Sequence, residues 1–303
     1  MRFLFFAYFL FFNVYALKAQ SIHGTILDSL LNKPLAYANL SVQNSNYGTS
    51  TDSFGNYTFD IKNYSNDTLL ISMLGYQSKK IALNRFLETK YELDIHLITA
   101  NTNLDDVLLI YKKKKYTSAK TLGVKRKKVK YRSSVPIGYE RCVFIENVSS
   151  KKGKIKSVSF KVKKGESDIY EIHPVYFRIK FYQKNKYSEG PGDALSFYDS
   201  ILKPANKNQT IKVQFDNTVI PFLESGIFVG IETINPNPEK LKGSMYVTTP
   251  NLVITYDDEP LTYSSYRGQP WTHLKRKMTW KAFGRTTYYY ANPLIDLEVQ
   301  FEK

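Results

Sequence analysis

The chain has 303 residues, with 43 Lys+Arg against 27 Asp+Glu for a net charge of +16, and 15% of the residues are aromatic. At roughly 100–200 residues per domain this is room for two domains, and an apolar content of 43% excludes wholesale disorder. The single cysteine, Cys142, excludes an internal disulfide and a multi-cysteine metal site.

Residues 1–19 read as an export signal. Arg2 supplies a positive start, Phe3 to Phe12 form an apolar run of ten residues, and Ala19 offers a small residue for cleavage. The run is short for a membrane span of ~20 residues. No cysteine stands directly after it, so a lipid anchor is not expected. No later apolar run is long enough to span, so no transmembrane segment is expected in the mature chain, which would begin at Gln20.

Residues 20–100 are dominated by strand signals. Leu40 and Val42 alternate with polar neighbours, as do Tyr57, Phe59 and Ile61, then Leu69, Ile71 and Met73, then Leu93, Ile95 and Leu97. A period of two means that each strand hides one face. Turn clusters separate the strands. In one of them Asp52 is placed to fold its carboxylate onto following backbone N–H groups, and Gly55 is placed for positive φ. The spacing predicts a β-sandwich of about seven strands.

An ordered series of short motifs runs through this region: Gly24-Thr25-Ile26-Leu27-Asp28, Lys33-Pro34-Leu35, Ala38-Asn39-Leu40-Ser41-Val42, Gly48 to Tyr57, and Leu74-Gly75-Tyr76. It resembles the carboxypeptidase-regulatory-like domain, a transthyretin-like β-sandwich of bacterial envelope proteins. The resemblance implies a non-catalytic domain. The sequence agrees, because none of His23, His96, His173 and His273 begins the His-x-x-Glu of a zinc carboxypeptidase. The stretch Asn103 to Leu109 is similar to one that follows this domain in TonB-dependent receptors. Fewer than 200 residues follow it here, so a plug with a large barrel is not expected; the similarity implies an envelope context.

Charge is concentrated. Residues 101–164 carry a net +15, while 20–100 carry −1 and 165–303 carry 0. Between Val107 and Tyr139 there is no acid, and Lys112 to Lys115 and Lys125 to Arg132 stand in that gap. Such runs are usually solvated, and residues 101–134 are therefore expected to be a basic linker. Lysines near an anionic membrane gain about 1 kcal/mol each, so Lys112, Lys113, Lys114 and Lys115 are candidates for loose contact with such a surface.

Residues 135–303 are again strand-rich. Phe177, Ile179 and Phe181 alternate with Tyr176, Arg178, Lys180 and Tyr182, and Ile227 to Glu232 read as a central strand. A jelly-roll-like sandwich is expected, so the whole chain is read as all-β with two sandwiches. This half carries no nucleophile elbow and no phosphate loop, and its acids pair with nothing evident. Cys142 lies in an apolar run that suits a buried thiol. Tyr263, Tyr266, Arg267 and Trp271, with Trp280 nearby, form the best candidate ligand surface, because flat rings offer a large contact area with few rotors. The competing reading places the tryptophans in the core.

These features point to a non-enzymatic exported envelope protein, periplasmic or associated with the outer membrane, with a binding or scaffolding role toward an envelope protein or glycan. No cofactor, metal or nucleic acid is implied. The alternative is a jelly-roll protein that binds or processes carbohydrate, for which Glu224, Glu232 and Asp257 are the available carboxylates.

Overall fold

The computed structural model describes residues 20–86, 90–100, 114–124, 130–196, 200–216, 218–237, 246–282 and 284–303. The export signal, the receptor-like stretch 103–109, Lys112, Lys113 and the cluster 125–128 lie outside the described residues. Among the described residues the regular structure is strand, apart from one 3-10 turn at Leu83–Arg85.

The N-terminal unit contains β1 (Ser21–Asp28), β2 (Asn39–Val42), β3 (Gly48–Ser50) and β4 (Asn56–Asp60). It continues with β5 (Thr68–Ser72), β6 (Lys79–Ala82), β7 (Lys90–Glu92) and β8 (Ile95–Leu97). One sheet has β1 between β4 and the pair β7 and β8; the other runs β3-β2-β5-β6. Both β7 and β8 lie parallel to β1, β7 against Ser21–His23 and β8 against Ile26–Asp28. They are two halves of one interrupted strand, and on that count the sandwich has the expected seven. Ile22, Ile26, Leu40, Val42, Phe59 and Ile71 fill its core. In the turn before β4 the Asp52 carboxylate accepts the N–H groups of Phe54 at 2.8 Å and Asn56 at 2.9 Å. Gly55 has a φ of 80°, and a Cβ there would meet Pro34 Cβ at 2.8 Å.

The chain then enters β9 (Lys120–Gly123), β10 (Lys130–Ser133), β11 (Tyr139–Ile145), β12 (Gly153–Lys163) and β13 (Glu171–Pro174). Next come β14 (Tyr176–Lys184), β15 (Pro191–Ser196), β16 (Ile201–Leu202), β17 (Gln209–Gln214) and β18 (Ile220–Phe222). They are followed by β19 (Ile227–Ile234), β20 (Tyr246–Thr249), β21 (Asn251–Asp257) and β22 (Thr262–Tyr266). The last are β23 (Thr272–His273), β24 (Met278–Ala282), β25 (Arg285–Pro293) and β26 (Ile295–Phe301).

Two sheets face each other across a second core. One follows the order β24-β25-β21-β12-β26-β9, with β10, β17 and β18 attached; the other runs β15-β14-β19-β11-β22-β23, with β16 attached. These sheets are larger than the eight strands of a minimal jelly roll, because short edge segments such as β16 and β23 extend them. Val143, Ile155, Phe160, Phe177, Ile179 and Ile231 are among the residues that meet between them.

The expected basic linker is shorter than 101–134. Strand β9 pairs with β26, and β10 pairs with β21. The reason lies in the apolar residues between the lysines: Leu122 packs against the second core and Val124 is buried in it. A lysine-rich segment becomes an edge strand when its alternate side chains have a core to enter.

Candidate functional site

The seven-stranded sheet has two buried faces. Its inner face lines the second core. Its outer face carries Arg178, Lys180 and Tyr182 on β14, Glu232 on β19, and Glu140 on β11, all buried. The register makes this a cluster. Glu232 lies between Glu140 on one neighbour and Arg178 on the other, and Lys180 stands opposite Gly230. Two carboxylates directly opposite each other repel. Here Lys180 joins them: its Nζ lies 3.0 Å from Glu140 Oε2 and 3.1 Å from Glu232 Oε2. Arg178 Nη1 adds a contact at 3.2 Å to Glu232 Oε2, and the Tyr182 hydroxyl donates to Glu140 Oε1 at 2.9 Å. Gly230 makes room for this arrangement, since a Cβ there would lie 1.9 Å from Glu140 Oε1.

The N-terminal unit covers this cluster. Leu40 and Val42 of β2 enter its own core, while the alternate residues Asn39 and Ser41 are buried as well. Asn39 Nδ2 donates to Glu232 Oε1 at 2.6 Å, and its Oδ1 accepts from Arg267 Nη1 at 3.0 Å. Arg178 Nη2 reaches the Tyr37 carbonyl at 3.4 Å. Arg267 Nη1 also reaches the Thr49 carbonyl at 2.6 Å, and the Arg267 carbonyl accepts from Ser72 Oγ at 3.0 Å. Gln269 completes the seam, donating to the carbonyls of Val42 at 3.1 Å and Ser45 at 2.7 Å and accepting the Asn44 N–H at 3.0 Å.

Two backbone features hold Arg267 in place. Its φ is 46°, an unusual value for a residue with a Cβ. Gly138 and Gly48 flank its side chain so closely that a Cβ at either would come within 2.7 Å of it. A long guanidinium is thereby threaded between the two units.

The electrostatics follow from burial and partners. Burial pushes Glu232 upward, but Lys180, Arg178 and the Asn39 amide outweigh it and hold the carboxyl down at about 2. Burial raises Glu140, which has Lys180 as its cation and faces the charge of Glu232. Burial alone would lower Lys180, yet Glu140 and Glu232 together raise it. The cluster is therefore a closed balance of two cations and two carboxylates with little capacity left to bind a further ion.

The four residues expected to form a ligand surface lie in two places. Arg267 is buried against the N-terminal unit, and Tyr266 beside it is half-buried with its ring 4.9 Å from that of Tyr139. Tyr263 is buried with Cys142, Tyr182 and Phe228, and its ring stacks on His273 at 4.2 Å. Trp271 packs against that cluster, half-buried, with its ring edge-on to Tyr182 at 5.3 Å. Trp280 sits on β24, in the other sheet. Of the lysines, Lys114 contacts Glu302 at 2.6 Å, and its ammonium is held above its ordinary range by that hydrogen bond. Cys142 is fully buried, and burial pushes its thiol well up.

The carboxylates considered for carbohydrate chemistry do not converge on one cleft. Glu232 is committed to the seam, Asp257 ends β21 in the opposite sheet, and Glu224 is exposed in the turn after β18. The residues that sequence reasoning did not assemble are Glu140, Arg178, Lys180 and Glu232. Their signal was present as charges at alternate positions of strands otherwise rich in core residues.

Residues 22–109 match the sequence profile of the CarboxypepD_reg-like domain. The N-terminal sandwich is thus similar to that domain. No curated protein matches the chain. Among solved structures, a protein of unknown function from Bacteroides fragilis, described as membrane-associated, aligns over 94% of this chain and 98% of its own, at 10% identity and a TM-score of 0.21. At that score the likeness carries no argument. No helix among the described residues is long and apolar enough to cross a membrane.

Proposed function

We propose that the chain is a non-enzymatic exported envelope protein with a binding or scaffolding role, in which a CarboxypepD_reg-like domain and a jelly-roll-like sandwich act as one body. The observation that carries this reading is the seam. Asn39, the Tyr37 carbonyl and the Thr49 carbonyl of the first unit satisfy buried charges of the second. Separating the units would give up these hydrogen bonds and wet a face that is otherwise buried, so the pair offers a partner a composite surface. Both buried carboxylates are engaged by Lys180, and Glu232 by Arg178 as well, which suits a structural more than a catalytic use.

Fractionation of cells carrying a C-terminally tagged chain tests the location. The tag is expected in the envelope fraction on a species beginning at or near Gln20; a cytoplasmic species retaining Arg2 would overturn it. Affinity capture from envelope extract, run beside a glycan panel, tests the role. Retention by an envelope protein supports scaffolding, and retention by a glycan transfers the chain to the carbohydrate reading.

A further inference from the structure

One end of the N-terminal sandwich displays apolar side chains that stand exposed among the described residues. Leu30 is 82% exposed and Leu31 60%, both at the tip of the hairpin that follows β1. Phe54, 74% exposed, stands on the neighbouring turn, which packs against Pro34 through Gly55. Ile98, 58% exposed, follows β8, whose last residue pairs with the last residue of β1. Exposed leucines scattered singly need no explanation, but large apolar residues gathered on adjacent turns do.

Most of the backbone donors of these turns are already provided for. Asp28 Oδ1 accepts the N–H groups of Leu30 and Leu31, each at 2.8 Å, and the Leu97 carbonyl accepts that of Ser29 at 2.9 Å. The Asp28 carbonyl accepts that of Asn32 at 3.0 Å. Asp52 Oδ1 accepts those of Phe54 and Asn56, and its carbonyl accepts that of Gly55 at 3.3 Å. At the apolar residues themselves the N–H groups are met internally. Leu30, Leu31 and Phe54 can therefore leave the aqueous phase for the interfacial region, where the remaining turn carbonyls still meet water and headgroups, without losing those hydrogen bonds. A protein partner does not require donors met in this way, because it can supply acceptors of its own.

The surrounding charge fits the same occupant. Lys33 follows the hairpin tip, and Lys79, whose Nζ reaches the His96 carbonyl at 3.3 Å, flanks the Ile98 side. Both have stems that can lie along an apolar tip while the ammonium stays at headgroup level. The carboxylates at this end, Asp28 and Asp52, are turned inward onto backbone donors. We propose that the tips bearing Leu30, Leu31 and Phe54 insert into the interfacial region of a bilayer containing anionic lipid, with Lys33 and Lys79 at the headgroups. The idea deepens the envelope reading by naming a surface and a partner; it is independent of the lysines at 112–115.

Vesicle co-sedimentation tests it, using the chain from Gln20 onward, which holds the entire described fold. The vesicles are phosphatidylethanolamine with a quarter phosphatidylglycerol. Binding of the unaltered chain is expected to fall roughly ten-fold or more in the triple variant Leu30→Ser, Leu31→Ser, Phe54→Ser, with the thermal midpoint unchanged because all three are exposed. A second variant, Phe54→Trp, reports insertion directly: its added emission should shift to the blue when vesicles are present. The proposal is overturned if the triple variant binds as well as the unaltered chain, if neither binds, or if the emission from position 54 does not move. It is also overturned if sedimentation velocity shows that the tips hold two copies together and the triple variant disperses them. Envelope fractionation does not enter this experiment, so a protein that fractionates with the envelope but fails here loses only the lipid contact.

Discussion

Strand β14 places consecutive residues in two different interiors. Phe177, Ile179 and Phe181 enter the core between the sheets, while Arg178 and Lys180 enter the charged cluster that the N-terminal domain reaches, and Tyr182 joins that cluster to the packing of Cys142, Phe228 and Tyr263. The two faces are comparably dry, yet they cohere by different means. The inner face is held by apolar burial, which is non-directional and tolerates swaps of similar volume. The charged part of the outer face is held by ion pairs and hydrogen bonds, whose value depends on every partner being present. The inner face makes the sandwich stable; the outer face dictates which body may lie on it and in what register.

The sharpest way to break this comparison is to remove one charge. Glu232→Ala would leave Arg178 and Lys180 buried with only Glu140 between them, and a loss of about 3–5 kcal/mol is expected from denaturant unfolding. Phe181→Ala on the opposite face should cost a similar amount, about 3–5 kcal/mol, through its cavity. The two differ in second-site rescue: replacing Arg178 by Met should recover part of the Glu232→Ala loss and none of the Phe181→Ala loss.

Arg267→Ala removes the guanidinium that joins Asn39 and Thr49. It is expected to cost about 1.5–3 kcal/mol. The cost should fall on the seam, so the N-terminal domain should exchange its amide hydrogens faster while the second core stays protected. A uniform loss of protection would mean that Arg267 serves the second sandwich and not the docking.

Gly230→Ala tests how closely the ions are fitted. A Cβ would collide with Glu140 Oε1, and a loss of about 1–3 kcal/mol is expected in a thermal melt. An unchanged midpoint would show that Glu140 can turn aside at no cost, and the cluster would be looser than its distances imply.

Acid should separate the faces further. A carboxyl held at about 2 in the fold and ordinarily at 4.5 contributes stability that is present above 4.5 and is lost as pH falls toward 2. Glu140, raised by burial, acts in the opposite sense and offsets part of that loss. Stability measured by denaturant should therefore decline between pH 4.5 and 2, and Glu232→Gln should flatten that decline. A slope unchanged by the substitution would place the acid sensitivity elsewhere.

The smallest effect is expected where an ion pair faces water. Lys212 contacts Glu298 at 2.7 Å on the exposed face of the nine-stranded sheet. Lys212→Ala should cost about 0.2–1 kcal/mol and less in high salt. A cost equal to that of Glu232→Ala would remove the distinction between buried and solvated pairs on which the reading of the seam depends.

Much of the fold was legible because alternation is a local property. The Leu40 and Val42 pair, the Tyr57, Phe59 and Ile61 series and the Phe177, Ile179 and Phe181 series each mark the strand and the side that enters a core. Gly55 and Asp52 marked their turn for the same reason, since a positive φ and a carboxylate folded onto its own backbone require nothing from afar. The seam was hidden in those same strands. Polar residues at alternate positions look alike whether water or another domain lies over them, so Asn39, Arg178 and Lys180 carry no local mark of burial, and Glu232, at the end of a strand read as central, carries no mark of its partners. Pairing Asn39 with Glu232 joins residues 193 positions apart, and no local pattern encodes such a contact. By itself the sequence determined which segments are strands, which side of each is apolar, and that the N-terminal sandwich is of the regulatory-like type. Only the tertiary structure decided that the polar sides close on each other, because the free energy of a buried charge depends on which partners the fold brings within reach.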